Sequence, residues 1–376
     1  MITIRKVDTK SRKDVNEFVD LPFRLFKGVS QWVPPLKSGV KDVLNRDKHP
    51  YHEHSDADFF LAMDGDEVVG RIAVLENKVY NKYHNKKQAS FYLYDSVDDQ
   101  AVADKLFECA FDWSHKRGLE YLLGPKGFSP FDGYGFQIEG SEHRQMMNMM
   151  NYNKENYPRF MENLGFTKVV DWISCYAEIA KFNMPEKVQT VANKVREQGK
   201  FKVHQFKTKS ELNKFVSRIG DAYNKTFVNN WEYYPLTQKE VDWAFKDLTF
   251  VALPDLIKII TYKDEIVGFL LAFPDISAAF QRHPRGVLTP ALILDIQREV
   301  KQSKWIEFNG VGVLPEYQGF GGNALLFDEI EKTAKSHHFV HGELTNIAET
   351  AVQMRKDLLN LGVKPYKNHR IFGKNI

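Results

Sequence analysis

The chain has 376 residues, of which 43% are hydrophobic and 27% are charged, the balance of a folded globular protein. Its 52 basic and 49 acidic side chains give a net charge of only +3, which argues against a general nucleic-acid-binding protein. Apolar runs are too short for a membrane span, no signal-peptide core is visible, and the two cysteines form no CxxC motif, so we expect a reduced, cytoplasmic protein.

The first half of the chain alternates between strand and helix patterns. An alternating start at Ile2 and Ile4 predicts a strand, and Ser11 is a plausible N-cap for the helix that follows. A turn at 64–66 joins two apolar segments and predicts a β-hairpin. The predicted segments from the hairpin onward are strands 59–63, 68–75 and 91–94, a helix that buries Ala103, Leu106, Phe107 and Ala110, strand 120–123, helix 157–164 and strand 168–178.

The second half of the chain has the same order of patterns. A strand at Phe201 and Val203 precedes a helix that begins after Ser210, and a turn at 263–264 predicts a second hairpin. The later predicted segments are strands 257–262, 266–273 and 305–313, a helix that buries Phe327, Ile330 and Ala334, strand 341–344, helix 350–361 and strand 369–372.

Two short motifs recur at nearly the same offset. Asp66-Glu-Val-Val-Gly70 returns 198 residues later as Asp264-Glu-Ile-Val-Gly268, and Asn163-Leu-Gly-Phe166 returns 197 residues later as Asn360-Leu-Gly-Val363. Together with the repeated element order, this predicts two copies of one α/β (α+β layered) domain, each with a mixed central sheet flanked by helices. We place the copies at 1–180 and 201–376, joined by a polar helix at 181–200 that begins near Pro185.

A glycine-rich segment, 314–323, follows the predicted strand 305–313 and precedes a helix. Such a turn presents unpaired backbone N–H groups to an anion, and the helix dipole favours negative charge at the same place. Glycines let a pyrophosphate approach the backbone closely. The segment therefore predicts a phosphate-binding loop, with an ordinary structural turn as the alternative.

This segment resembles the signature of the acyl-CoA N-acyltransferase superfamily, the GNAT fold, which reads V-x-P-x-x-(Q/R)-x-x-G-x-(G/A). The matching residues are Val313, Pro315, Gln318 and Gly321, and Asn323 stands where the family has a small residue. A narrower resemblance is to tandem proteins of the bacterial ceramide synthase-like group. It rests on Trp32-Val-Pro-Pro35, Gly124-Pro125, Tyr157 before Asn163-Leu-Gly-Phe166, Pro274-Asp275 and the ending His369-Arg-Ile-Phe372.

The resemblance implies two tandem acyltransferase-like domains and acyl-CoA or acetyl-CoA as co-substrate, with no metal. It implies that the strand around Val311 and Val313 pairs with the pantetheine arm, and that Gln318 adds a side-chain donor. The backbone N–H groups that would hold the CoA pyrophosphate are those of Gly319, Phe320, Gly321, Gly322 and Asn323. At the equivalent place the first copy reads 95–100, with three carboxylates and no glycine, so we expect that copy not to bind CoA.

Amide formation from a thioester requires a base for the amine. Period-2 alternation predicts Glu307, Asn309, Val311 and Val313 on one face of their strand, and the resemblance makes Glu307 the candidate base. Solvent exposure at the strand edge is the alternative for Glu307.

Further candidates come from the insertion at 274–303 and from the family pattern. Asp275 is a candidate partner of the substrate ammonium, with a plain turn or helix cap as the alternative. The family's usual tyrosine acid is replaced by Leu358, and its helix-start asparagine would fall near Ala351, so Tyr366 or Tyr317 is the candidate acid. The cysteines lie in the first copy, which favours direct transfer in a ternary complex over an acyl-enzyme.

Two other segments stand out. The insertion 274–303 carries His283, Arg285 and an apolar stretch, and predicts either a lid or acyl-chain tunnel or a helical cap on the core. The loop 124–136, rich in glycine and aromatic residues, predicts either a wall of an inter-domain cleft or a plug in the core. The histidines at 49, 52 and 54 match no common metal site.

We therefore expect a CoA-dependent N-acyltransferase that acts on a small-molecule or lipid amine. A lipid product implies peripheral contact with a membrane surface, although the sequence has no clear amphipathic anchor. The alternatives are a Fem-type aminoacyl transferase, which the weak net charge disfavours as a tRNA binder, and a non-catalytic CoA-binding protein. The sequence predicts no oligomeric state.

Overall fold

Strands and helices alternate along the chain in the computed structural model, which describes residues 1–147 and 149–376, with 247–249 described by their backbone only. The strands are β1 (Ile2–Lys6), β2 (Asp56–Asp64), β3 (Glu67–Glu76), β4 (Gln88–Ser96), β5 (Tyr121–Gly124), β6 (Phe136–Glu139), β7 (Thr167–Ala177), β8 (Lys202–Gln205), β9 (Lys258–Tyr262), β10 (Glu265–Pro274), β11 (Trp305–Val313), β12 (His341–Ala348) and β13 (Lys364–Asn375).

A helix occurs in every region where the sequence predicts one. The helices are α1 (Arg12–Leu25), α2 (Lys37–Leu44), α3 (Lys78–His84), α4 (Gln100–His115), α5 (Asn156–Asn163), α6 (Glu186–Gln198), α7 (Lys209–Asn213), α8 (Val216–Thr226), α9 (Gln238–Val251), α10 (Ser277–Arg282), α11 (Pro290–Gln302), α12 (Gly322–Ser336) and α13 (Val352–Leu361). No helix within the described ranges is long and apolar enough to cross a membrane.

One predicted helix start is wrong. Ser210 lies inside α7, and the cap is Thr208, whose side-chain oxygen accepts a hydrogen bond from the Glu211 N–H. The helix predicted after Ser210 is divided into α7 and α8. Ser11, in contrast, caps α1 as predicted and accepts from the Asp14 N–H.

The chain divides into two compact units. Unit 1 comprises Met1–Trp172, Ser277–Ile293 and Lys367–Ile376, and unit 2 comprises Ile173–Ile276 and Leu294–Tyr366. Compactness and sequence repetition are different properties, so the repeat boundaries at 1–180, 181–200 and 201–376 stay a prediction.

Unit 1 contains a mixed sheet. Strands β1 to β4 pair antiparallel in chain order, β4 pairs parallel with β5, and the end of β13 pairs antiparallel with β5 and β6. Helix α4 buries the four residues predicted for it, Ala103, Leu106, Phe107 and Ala110. The loop 124–136 fills a core of this unit, because Phe128 is buried and packs against Phe59 and Tyr51.

The inserted segment contributes α10 and the beginning of α11 to unit 1. The Lys37 N–H donates to the Gly286 carbonyl over 2.8 Å, and the Gln281 side chain donates to the carbonyls of Ser30 and Trp32. These contacts make 277–293 a packed helical segment of that unit. The predicted lid or acyl-chain tunnel stays a prediction.

Unit 2 has the same plan. Strands β8, β9, β10 and β11 pair antiparallel in that order, and β11 pairs parallel with β12. Helix α12 packs on the face of the sheet that carries Leu270, whereas Tyr223 and Phe227 of α8 pack on the opposite face, against Phe269. The β-α-β connection from β11 through α12 to β12 positions the glycine-rich segment at the end of β11.

The two sequence repeats occupy equivalent places in the fold. Both copies of the Asp-Glu-(Val/Ile)-Val-Gly motif form a hairpin turn and the start of the strand that follows it, which is β3 in the first copy and β10 in the second. Both copies of the Asn-Leu-Gly motif end a helix with a glycine in the left-handed conformation. This glycine is Gly165 after α5 and Gly362 after α13. Only a residue without a Cβ adopts this conformation at no steric cost, which explains why the motif recurs.

Candidate active site

The glycine-rich segment forms a short loop between β11 and α12. Pro315–Tyr317 is a single 3-10 turn, and α12 begins at Gly322. Gly319 and Gly321 have φ angles of +80° and +81°, a region that other L-residues adopt only with strain. A Cβ on Gly321 would also lie 2.6 Å from a methyl group of Val195 in α6, so this glycine is required twice over.

The loop leaves its backbone donors free. Within the part of the chain that the structure describes, no carbonyl or side chain accepts a hydrogen bond from the N–H groups of 319–323. These groups stand at the positive end of the α12 dipole, and residues 318–320 are exposed. The Lys200 ammonium lies 3.9 Å from the centre of the exposed Phe320 ring, which adds a cation beside the loop. The arrangement suits a phosphate group.

Two side chains of the loop are already engaged. The Gln318 amide donates to the Val313 carbonyl over 3.0 Å, so it braces the turn. Asn323 donates to the Asp357 carboxylate of α13 over 2.9 Å. Asn323 therefore turns its side chain toward α13, although a small residue is typical at this position of the signature.

The equivalent place in unit 1 is closed by carboxylates. Asp99 caps α4 and accepts a hydrogen bond from the Ala101 N–H over 2.9 Å, occupying the helix terminus that an anion would need. Asp95 is buried at the end of β4 and forms an ion pair with Arg71 over 2.7 Å. Burial raises the pKa of Asp95 despite the attraction of Arg71. A carboxylate therefore occupies the N-terminus of α4, whereas no carboxylate caps α12.

Strand β11 has an irregularity in its middle. Leu271 of β10 opposes Gly310, and the next residue, Ala272, opposes Phe308. Asn309 is therefore an extra residue, a β-bulge, with no partner on β10.

The bulge overturns the predicted alternation. Partners across an antiparallel pair lie on one face, and Val311 opposes Leu270 whereas Glu307 opposes Phe273. Leu270 and Phe273 differ by an odd number of residues and lie on opposite faces of β10. The prediction that Glu307 shares a face with Val311 and Val313 is therefore wrong: one inserted residue inverts the alternation. Glu307 lies on the face against which α8 packs.

Strands β11 and β12 separate at the same point. Their parallel ladder consists of four register pairs, from Trp305 with His341 to Phe308 with Leu344. Both strands continue beyond it, to Val313 and Ala348, without further pairing in the described ladder. On its β12 side, the edge 309–313 of β11 therefore has no strand partner in the described ladder, and we call this separation of the two strands the gap.

A second carboxylate lies beside Glu307. Glu343 of β12 is its register partner, so both side chains lie on one face, and both are fully buried. The Tyr366 hydroxyl of β13 donates to the Glu343 carboxylate. The structure thus brings together two residues that the sequence singled out, Glu307 and Tyr366, through Glu343, which it did not.

Aromatic side chains line the same strand ends. The rings of Trp305 and His341 lie 4.6 Å apart, and the Tyr176 hydroxyl lies 2.7 Å from Nδ1 of His341. Tyr176 also packs on Tyr366, with ring centres 5.9 Å apart. These rings form one aromatic cluster, which reaches the carboxylate pair through the Tyr366 hydroxyl.

Comparison with known proteins gives the fold a name. No family model matches the chain. It is 23% identical over 372 residues to Protein YghO of Escherichia coli K12, covering 97% of this chain and 94% of that protein. It is 24% identical over 376 residues to the bacterial ceramide synthase of Caulobacter vibrioides, covering 98% and 96%.

Among solved structures, a tandem GNAT protein from the clavulanic acid biosynthesis pathway superposes with a TM-score of 0.57 at 10% identity, covering all of this chain and 98% of that one. The chain has the tandem GNAT fold. A probable N-acyltransferase of unknown function from Enterococcus faecalis V583 gives a TM-score of 0.52 at 8% identity, covering 100% and 73%.

The remaining candidates occupy less central places in this GNAT fold. Asp275 is buried at the end of β10, where its N–H donates to the Trp305 carbonyl over 3.0 Å. Tyr317 packs between Phe201 and Tyr262 beside the loop. Leu358 is buried in the core, as expected of an apolar residue in place of the family's tyrosine.

The described residues contain no group of three or more His, Cys, Asp or Glu side chains placed to hold a metal ion. His52 and His54 instead contact the Val43 carbonyl and the Ser55 hydroxyl.

The sequence did not single out Glu343, and it did not predict the bulge at Asn309. Glu343 has no motif of its own and gains its importance only from the register of β12 against β11. Asn309 was assigned to the wrong place on its strand because nothing in the local sequence announces a bulge. Alternation along the predicted strand 341–344 places Glu343 on the same face as His341. Alternation alone does not say which of the two faces of the sheet that is.

Proposed function

We propose that the protein is an acyl-CoA-dependent N-acyltransferase that moves an acyl group from CoA to an amine by direct transfer in a ternary complex. The observation that carries this proposal is the set of free N–H groups at 319–323, at the start of α12. They directly follow the part of β11 that no longer pairs with β12. The matching place in unit 1 is closed by Asp99, so the open terminus is a particular feature of this βαβ connection.

In the proposed complex, the CoA pyrophosphate accepts hydrogen bonds from the N–H groups of Gly319, Phe320, Gly321, Gly322 and Asn323. The pantetheine arm then follows the unpaired edge of β11, past Val313 and Val311. The six residues from Val313 back to Glu307 span about 20 Å of strand. That length matches an extended pantetheine arm, so the thioester would arrive near the carboxylate pair.

Glu307 is the proposed base for the attacking amine, and Tyr366 the proposed acid for the thiolate. The Tyr366 proton already lies in a hydrogen bond to Glu343, beside Glu307. Asp275, two residues beyond the register partner of Glu307, is proposed to pair with the substrate ammonium before it loses its proton.

Direct transfer is favoured by the state of the cysteines. Burial raises the pKa of Cys175 to about 11, and the pKa of Cys109 likewise to about 11. Thiols with such pKa values are almost fully protonated at neutral pH and are poor nucleophiles. An acyl-cysteine intermediate is therefore disfavoured, and the amine attacks the thioester itself.

The similarity to a protein named ceramide synthase over nearly the whole chain supports a hydrophobic amine and a long acyl chain as substrates. A lipid product of this kind would require peripheral contact with a membrane surface. The first assay should therefore pair acetyl-CoA and palmitoyl-CoA with amines that include a long-chain amino alcohol.

The test compares Gly319→Asp with Gly319→Asn. A Cβ at Gly319 meets no atom within 4 Å, and Asp and Asn tolerate its left-handed conformation about equally, so the two variants differ mainly by one charge. A carboxylate beside the pyrophosphate should raise the Kd of CoA by about tenfold or more, whereas the amide should change it less than about threefold. Titration calorimetry or thermal shift measures the Kd.

Release of free CoA thiol and mass spectrometry of the amide measure turnover. Equal binding by both variants would refute the pyrophosphate site. CoA binding by the wild type without turnover of any amine would favour the non-catalytic alternative, and salt-dependent retention of tRNA would favour the Fem-type alternative.

A further inference from the structure

Asn309 is the bulged residue of β11 and the first residue beyond the ladder with β12. It has no register partner on β10, and the described ladder with β12 ends at Phe308. It thus lies at the apex of the gap between the two strands, two residues from Glu307.

The side chain of Asn309 is unsatisfied in the free protein. Its amide nitrogen and its amide oxygen are both closed to solvent, and neither has a hydrogen-bond partner. A buried donor or acceptor without a partner destabilises the folded state, and here one side chain carries both. Buried polar groups without a partner are rare in folded proteins, and a catalytic role is one of the explanations for those that occur.

The position of Asn309 defines what that ligand presents. The edge 309–313 leads from the phosphate loop to the carboxylate pair, so Asn309 stands at the reacting end of this path rather than at the pyrophosphate end. In amide formation from a thioester, a donor stabilises the carbonyl oxygen as negative charge develops. The attacking amine keeps an N–H that an acceptor can orient. A carboxamide supplies both from one side chain.

We propose that the Asn309 carboxamide binds the reacting groups themselves: its nitrogen donates to the thioester oxygen and its oxygen accepts from the incoming amine. This inference rests on the proposed N-acyl transfer. It adds a side-chain oxyanion donor to the Glu307 base.

The step balances with the groups named. The amine nitrogen forms a bond to the carbonyl carbon, and the carbonyl π electrons move to the oxygen that Asn309 holds. When the carbon–oxygen double bond re-forms, the carbon–sulfur bond breaks and its electron pair leaves on sulfur. One proton passes from nitrogen to Glu307, and the thiolate takes one proton, for which Tyr366 is the proposed donor. The products are an amide and the CoA thiol.

The test uses Asn309→Leu, which has nearly the same shape and no polar atoms, with Asn309→Asp as a second variant that keeps the acceptor and loses the donor. Removal of one oxyanion donor lowers kcat by about 10²–10³-fold. We expect that loss in both variants, with the Kd of free CoA within about threefold of the wild type, because the phosphate loop is untouched.

The stability of Asn309→Leu separates a catalytic from a structural role. A carboxamide that is unsatisfied in the free protein destabilises it, so the leucine variant should unfold at the same or a higher temperature than the wild type. A lower Tm together with unchanged kcat would overturn the proposal, as would full activity in Asn309→Asp. If the wild type turns over no thioester, the proposed function itself is wrong. If the wild type is active and the Asn309 variants are equally active, only the role of Asn309 is wrong.

Discussion

Glu307 and Glu343 are register partners on two adjacent parallel strands, and neither side chain is exposed to solvent. Two carboxylates held on neighbouring strands repel each other when both are ionised. The Tyr366 hydroxyl already donates a hydrogen bond to Glu343. Glu343 thus accepts a phenolic hydrogen bond beside Glu307, the proposed base.

Substitution of Glu307 by glutamine should abolish most of the turnover while CoA binding persists. The amide keeps the shape of the carboxylate but accepts no proton from the amine, so kcat should fall by about 10²–10⁴-fold. Thiol release at saturating acyl-CoA measures kcat, and calorimetry measures the Kd of CoA. Glu316→Gln, at an exposed position of the same segment, is the matched control and should keep full activity. Full activity of Glu307→Gln would exclude Glu307 as the base.

The hydrogen bond from Tyr366 to Glu343 should be visible in unfolding experiments. Tyr366→Phe removes the donor and should lower the free energy of unfolding by about 1.5–3 kcal/mol, the range for hydrogen bonds to charged groups. The same substitution should cost less in a Glu343→Gln background, because the acceptor there is neutral. Urea unfolding of the two single variants and the double variant measures this coupling. Additive effects would show that the two side chains do not interact in solution.

Stability should fall as the pH decreases, because His369 is buried. Burial lowers the pKa of His369 from 6.5 to about 4, although its hydrogen bond to the Asn151 carbonyl acts in the opposite direction. Between those pH values the unfolded chain binds a proton that the folded chain does not, so stability decreases as the pH falls from 6.5 toward 4. This residue alone should account for about 3 kcal/mol over that window.

His369→Gln should therefore flatten the dependence of the unfolding free energy on pH between 6.5 and 4. Urea unfolding at several pH values measures the slope. His115→Gln, at an exposed position of α4, is the control and should leave the slope unchanged. An identical slope for His369→Gln and the wild type would contradict the assignment.

Much of the fold could be predicted because its determinants are local. Hydrophobic periodicity placed β2, β3 and β11 and the buried face of α4. The repeated motifs marked equivalent turns, because a left-handed glycine after a helix or a tight hairpin needs particular residues within a few positions. The phosphate loop was visible for the same reason: its glycines, its strand and its helix are consecutive in the chain.

The sequence by itself therefore determined the order of the main strands and helices, the tandem plan and the position of the glycine-rich loop. Only the tertiary structure decided which side chains meet. The bulge at Asn309 moved Glu307 to the other face of the sheet, and the register of β11 against β12 placed Glu343 beside it. Register and bulges depend on pairing between segments more than 30 residues apart, such as 307 and 343. Residues near one position in the chain do not specify that pairing, because one residue of slip exchanges the two faces of a strand.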